Sequence, residues 1–243
     1  MATEALLVPG AGTEGAQTSS LLLLKTYFGK GQKLPASFVD GVTHEADEPR
    51  ATLPSEQAEQ IAAEASPGVV IVAQSMGALG VMRALRDPEV DAQVAGAIFI
   101  APPARRPYAD VMLHTVILDR CGETRPPDGI LRGGVSIKTY SHPDGVTFTE
   151  EYIEEVREHE DDFDEELRSL AAEGIVKIVC PSRDWNDNYN IDTYPNSMAV
   201  EGTHSLAGGG DGELILACRK IWQVINVITD AGTGADDARL QSA

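Results

Sequence analysis

The sequence predicts an α/β domain, a mostly parallel sheet flanked by helices, and three observations carry that prediction. Apolar runs of four to six residues alternate with amphipathic stretches, as expected when strands buried on both faces are joined by crossover helices. One run, Val69 to Ala73, passes through a turn of small residues directly into a helical pattern. The chain has 243 residues, 42% of them hydrophobic, which suffices for one domain with a substantial core.

Taken in order, Ala5 to Val8 is wholly apolar and reads as a strand at 5–8, leading into the small-residue loop Pro9-Gly10-Ala11-Gly12. Leu21 to Leu24 lies within a helix near 16–29, and a second strand follows at 36–39. Pro54-Ser55-Glu56-Gln57 is a helix-start signal, proline being tolerated in the first turn where its missing N–H is not needed; it opens a helix near 54–66. A strand at 68–73 feeds a helix at 76–86, and a strand at 96–101 stops at Pro102-Pro103. Residues 104–174 break the alternation. Their first half is rich in Pro, Gly and Arg, and the second reads as two acidic amphipathic helices with Tyr152, Ile153, Val156, Phe163, Leu167 and Leu170 on the apolar side. Strands at 175–180 and 197–200 and a helix at 213–228 complete the pattern, with a flexible tail over 229–243. No internal repeat is present. The expected organisation is a core of 1–103 and 175–228 interrupted by an insertion at 104–174.

Chemistry concentrates at Ala73-Gln74-Ser75-Met76-Gly77. A serine on a sharp strand-to-helix turn needs small residues two before and two after it, because the reversal leaves no room for a larger side chain. Ala73 and Gly77 meet that need, with Ala73 standing where glycine is commoner. The bland alternative is an N-capping serine. Two further positions favour catalysis: Asp184 follows the strand 175–180, and His204, in Gly202-Thr203-His204, precedes the last helix. A serine hydroxyl becomes nucleophilic when a neutral imidazole takes its proton, and a carboxylate on the far ring nitrogen fixes the tautomer. Asp187 is an alternative acid three residues beyond Asp184.

The chain order Ser75, Asp184, His204, with the elbow and the first loop, resembles the α/β-hydrolase superfamily. That resemblance implies the α/β-hydrolase fold, trimmed at the N-terminus, with a lid at 104–174 whose Tyr108, Met112 and Leu113 would face substrate. It implies oxyanion-hole donors at the backbone of Met76 and Ala11, although Pro9-Gly10 stands where the family often has His-Gly. The implied activity is cleavage of a carboxylic ester or related small-molecule acyl substrate. Two alternatives are an acyl-thioesterase, because Ser75-Met76-Gly77-Ala78-Leu79 looks like a thioesterase elbow, and a non-catalytic small-molecule binding scaffold.

Composition narrows the partners. A net charge of −19 and pI near 4.5 argue against nucleic acid and against anionic membranes. Cys121, Cys180 and Cys218 lack metal-site spacing and read as thiols of a reducing interior. No run approaches a membrane span and no signal peptide is evident, so a cytoplasmic location is expected. Asp184 to Asp192 is oxygen-rich but lacks the glycine and glutamate of a calcium loop. No cofactor or metal is indicated, and the oligomeric state is open.

Overall fold

In the computed structural model the described residues are 4–10, 12–29, 34–45, 48–103, 140–141, 146–159, 161–183, 194–204, 206 and 211–240. Along the chain they form β1 (Ala5–Val8), a 3-10 turn (Gly15–Gln17), α1 (Ser19–Tyr27), β2 (Ala36–Phe38), β3 (Val42–Glu45), β4 (Glu48–Ala51), α2 (Pro54–Glu64), β5 (Val69–Gln74), α3 (Gly77–Leu85) and the short α4 (Pro88–Asp91). There follow β6 (Val94–Ile100), β7 (Tyr140–Ser141), β8 (Thr147–Phe148), α5 (Glu150–Glu158), α6 (Phe163–Ala172), β9 (Val176–Pro181), β10 (Ser197–Val200) and α7 (Asp211–Leu240).

The continuous apolar runs become a parallel sheet of order β10-β9-β6-β5-β1-β2. Because side chains alternate across a strand, each run feeds two cores. Leu6, Val8, Ile71, Ala73, Ala97, Phe99 and Ile178 face one core with α2, α3, α5 and α6. Leu7, Val70, Val72, Ile98, Ile100 and Val179 face the other with α1 and α7. Burial on both sides explains why these strands lack polar alternation, and each fully buried Leu, Ile, Val or Phe contributes about 1.5–3 kcal/mol.

A four-stranded second sheet, β3-β4-β8-β7, was not expected from the sequence. It pairs β4 with β8 at Arg50 and Thr147, nearly a hundred residues apart in the chain. Beside it the start of α2 is pinned: the Glu56 carboxylate accepts from the Leu53 N–H at 2.9 Å and from both Arg50 terminal nitrogens at 2.7 and 2.6 Å. The Arg50 hydrogen bond holds the Glu56 carboxyl below its ordinary range against the opposing effect of burial.

The acidic amphipathic helices expected in the second half of 104–174 are α5 and α6. α5 begins at Thr149, whose hydroxyl accepts from the Tyr152 N–H at 3.2 Å, and packs against α2. α6 covers β9 and buries Phe163, Leu167 and Ala171. Both therefore belong to the layer over the sheet. Between them His159 is 1% exposed, with neither ring nitrogen hydrogen-bonded. Burial, reinforced by the positive charge of Arg86, pushes its imidazole below the ordinary value. α7 runs to Leu240, through most of the expected tail. No helix among the described residues is long and apolar enough to cross a membrane.

Candidate active site

From β1 the chain moves to β2 on one side, and its return places β5 on the other, so strand order reverses between β1 and β5. In open α/β sheets the crevice at the carboxyl ends of the strands flanking such a reversal is where ligands bind. Pro9-Gly10 leaves β1 there and Ser75 leaves β5 there. The Gly10 α-carbon faces Ser75: a Cβ on Gly10 would lie 3.2 Å from Ser75 Cβ and 3.7 Å from its Oγ.

Ser75 itself has φ +52°, a left-handed conformation that costs a non-glycine residue about 1–2 kcal/mol. The fold holds it there through hydrogen bonds on both sides: Ser75 N–H donates to the Ile100 carbonyl at 2.9 Å, and the Ser75 carbonyl accepts from Ala78 N–H at 3.1 Å. The latter starts α3. Gly77 shows why the turn needs glycine: a Cβ there would be 2.5 Å from the Pro9 carbonyl oxygen and 2.9 Å from that of Val8. Ala101, Asn196 and Leu206 also have positive φ, but of these four residues Ser75 alone carries a hydroxyl, and it does so in the crevice at the switch point, which points to function.

Ser75 is half-buried, so its hydroxyl can be reached, whereas Met76 is 3% exposed. Met76 caps α3. The first amides of a helix have no intrahelical acceptor and carry its positive dipole end, and Ser75 directly precedes this cap.

β9 and β10 end on the same edge of the sheet. Their extensions stay together: Ser182 N–H donates to the Val200 carbonyl at 2.8 Å and Arg183 N–H to the Gly202 carbonyl at 2.9 Å. Arg183 also forms an ion pair with Glu213, tying this loop to α7. His204, half-exposed, lies two residues past Gly202, and its carbonyl accepts from the Gln74 side-chain amide at 3.2 Å. The structure thus brings the His204 loop to the residue preceding Ser75. Gln74 went unremarked in the sequence; a polar residue closing the run Val69 to Ala73 was the signal, because a buried amide requires partners. Ala11, Tyr108, Met112, Leu113, Asp184 and Asp187 lie outside the described residues, as does the oxygen-rich stretch 184–192. Among the described residues no cluster of His, Cys, Asp and Glu could hold a metal ion.

Comparison with known proteins adds to this geometry. Residues 32–120, which include Ser75, match the serine hydrolase family. No curated protein matches the sequence. Among solved structures, the chain is similar to bromoperoxidase from Bacillus anthracis, at 13% identity over 93% of this chain and 92% of that one, with TM-score 0.56. It is also similar to a thermophilic esterase from Thermogutta terrifontis, at 14% identity over 93% and 91% with TM-score 0.54. A third is Est1E from Butyrivibrio proteoclasticus, at 12% identity over 93% and 89% with TM-score 0.53. With the parallel sheet and the serine turn at its switch point, these likenesses show that the chain has the α/β-hydrolase fold.

Proposed function

We propose that this protein is a serine hydrolase that cleaves a carboxylic ester or related acyl substrate, with Ser75 as nucleophile, His204 as base and Asp184 as the carboxylate that orients it. The carrying observation is Ser75 at φ +52° in the switch-point crevice, in a turn closed by Gly77. In this reading Ser75 Oγ attacks the acyl carbon while His204 takes the hydroxyl proton. The proton passes to the leaving alkoxide, and the acyl group remains on Ser75. His204 then takes a proton from water, whose oxygen attacks the acyl carbon, and the acid departs with Ser75 restored. The oxyanion formed at each attack is met by the N–H of Met76 and, in this proposal, of Ala11.

Asp184 is preferred to Asp187 because it directly follows Arg183, whose N–H is bonded to Gly202 two residues before His204. Tyr108, Met112 and Leu113 are proposed to meet the acyl chain. The test is hydrolysis of p-nitrophenyl esters and the matching acyl thioesters of graded length by the wild type and Ser75→Ala. Ester turnover that Ser75→Ala abolishes is the expected result. Turnover confined to thioesters would select the thioesterase alternative, and no turnover of either by folded protein would leave the binding scaffold.

A further inference from the structure

Gln74 closes the apolar run of β5 and is 5% exposed. Its amide bridges two elements: Ser20 Oγ of α1 donates to Gln74 Oε1 at 2.8 Å, and Gln74 Nε2 donates to the His204 carbonyl at 3.2 Å. A carbonyl can only accept, so the nitrogen must face His204, leaving the oxygen to the fully buried Ser20 hydroxyl.

The sheet order makes this contact consequential. β10, from which the His204 loop departs, is three strand spacings from β5, about 14 Å across the sheet. The segment Glu201 to His204 must therefore reach back over the ends of β9 and β6 without ladder pairing to β5. At its near end it is tied by Arg183 N–H to the Gly202 carbonyl at 2.9 Å. Gln74 ties the His204 end, and its own α-carbon is about 3.8 Å from that of Ser75. One side-chain amide therefore gauges the base loop against the nucleophile.

We propose that Gln74 is a positioning residue that sets the height of His204 over Ser75, with Ser20 fixing which way its amide points. This rests on the hydrolase reading above. Misplacement of a base by about 1 Å can cost roughly 10²-fold in rate, which gives a buried hydrogen bond to the loop carrying that base a kinetic role.

The experiment measures kcat and KM for p-nitrophenyl acetate between about pH 5 and 9 in the wild type, Gln74→Met, Gln74→Glu and Ser20→Ala, each checked for folding by circular dichroism. Gln74→Met keeps the length but cannot donate; its kcat is expected to fall about 10- to 100-fold at every pH with KM changed less than about twofold. Gln74→Glu keeps the shape and donates only while its carboxyl is protonated. Its rate relative to wild type should approach one at the acid end and fall as pH rises, a limb the wild type lacks. Ser20→Ala, the variant least disturbing to the core, should lose about fivefold in kcat. Folded Gln74 variants with wild-type kcat, a Gln74→Glu profile parallel to that of Gln74→Met, or an unchanged Ser20→Ala would each overturn the proposal. Failure of the hydrolase reading is distinguishable, since the wild type itself would then show no turnover.

Discussion

A methyl group at Gly77 tests the packing of the serine turn. It would fall 2.5 Å from the Pro9 carbonyl oxygen, about 0.8 Å inside the roughly 3.3 Å at which carbon and carbonyl oxygen rest. The second oxygen, of Val8, is 2.9 Å away. Both belong to backbone, so no rotamer change relieves the clash. Overpacking of this kind costs about 1–3 kcal/mol, against a gain of about 0.5–1 kcal/mol for alanine over glycine in a helix. Gly77→Ala should therefore lose about 1–2 kcal/mol net. With a urea slope of about 3 kcal/mol/M, the unfolding midpoint should fall by roughly 0.3–0.7 M. Because β1 and the turn must part to admit the methyl, reaction of Ser75 with a fluorophosphonate should also slow. Gly212, in α7, is the control: no heavy atom lies within 4 Å of an added Cβ, and Gly212→Ala should be as stable as wild type or more so. A Gly77→Ala protein with the wild-type midpoint and reactivity would refute the steric reasoning.

Other outcomes follow from neighbouring features. If Asp184 orients His204, Asp184→Asn should lower ester turnover by up to about 10⁴-fold while Asp187→Asn changes little; the reverse ranking would move the role to Asp187. For His159, burial holds the folded imidazole below its ordinary 6.5, so the unfolded chain takes up the proton first and stability is lost as pH falls through that value. His159→Leu removes this penalty, and its urea midpoint should gain on that of wild type progressively below pH 6.5; parallel pH profiles would contradict it. Burial also pushes the Cys218 thiol up to about 12. Peptide mapping after iodoacetamide at about pH 8 should find Cys218 modified only in denaturant, because so little of it is thiolate.

What was legible in the sequence follows from where the stabilising contacts lie. The six strands of the main sheet were read within two residues: in the central strands burial on both faces writes a largely continuous apolar run, as in Val69 to Ala73, while the edge strands β2 and β10 are only partly buried. The serine turn was equally plain, since its small residues stand within two positions of Ser75, although the atoms that exclude a side chain at Gly77 are the Val8 and Pro9 carbonyl oxygens of β1 and its loop. β3 and β4 were missed because Val42–Glu45 and Glu48–Ala51 are short and contain charges and Pro49. Their partner β8 lies far along the chain, so no local pattern announces the pairing. α7 outran the expected helix because Gly232 and Gly234 are poor helix formers. α4 did carry a signal, Asp87 accepting from Glu89 N–H at 2.8 Å with Pro88 in the first turn, but its four residues were too few to show periodicity. Gln74 could be understood only once the sheet order set its amide beside His204.

That Ser75 is the nucleophile is tested most directly by intact-mass analysis of the folded protein after treatment with a fluorophosphonate, followed by peptide mapping. One adduct per chain on Ser75 is predicted, lost in Ser75→Ala and formed far more slowly in His204→Ala. Folded protein that gains no mass, or that gains it equally when Ser75 is alanine, would contradict the assignment.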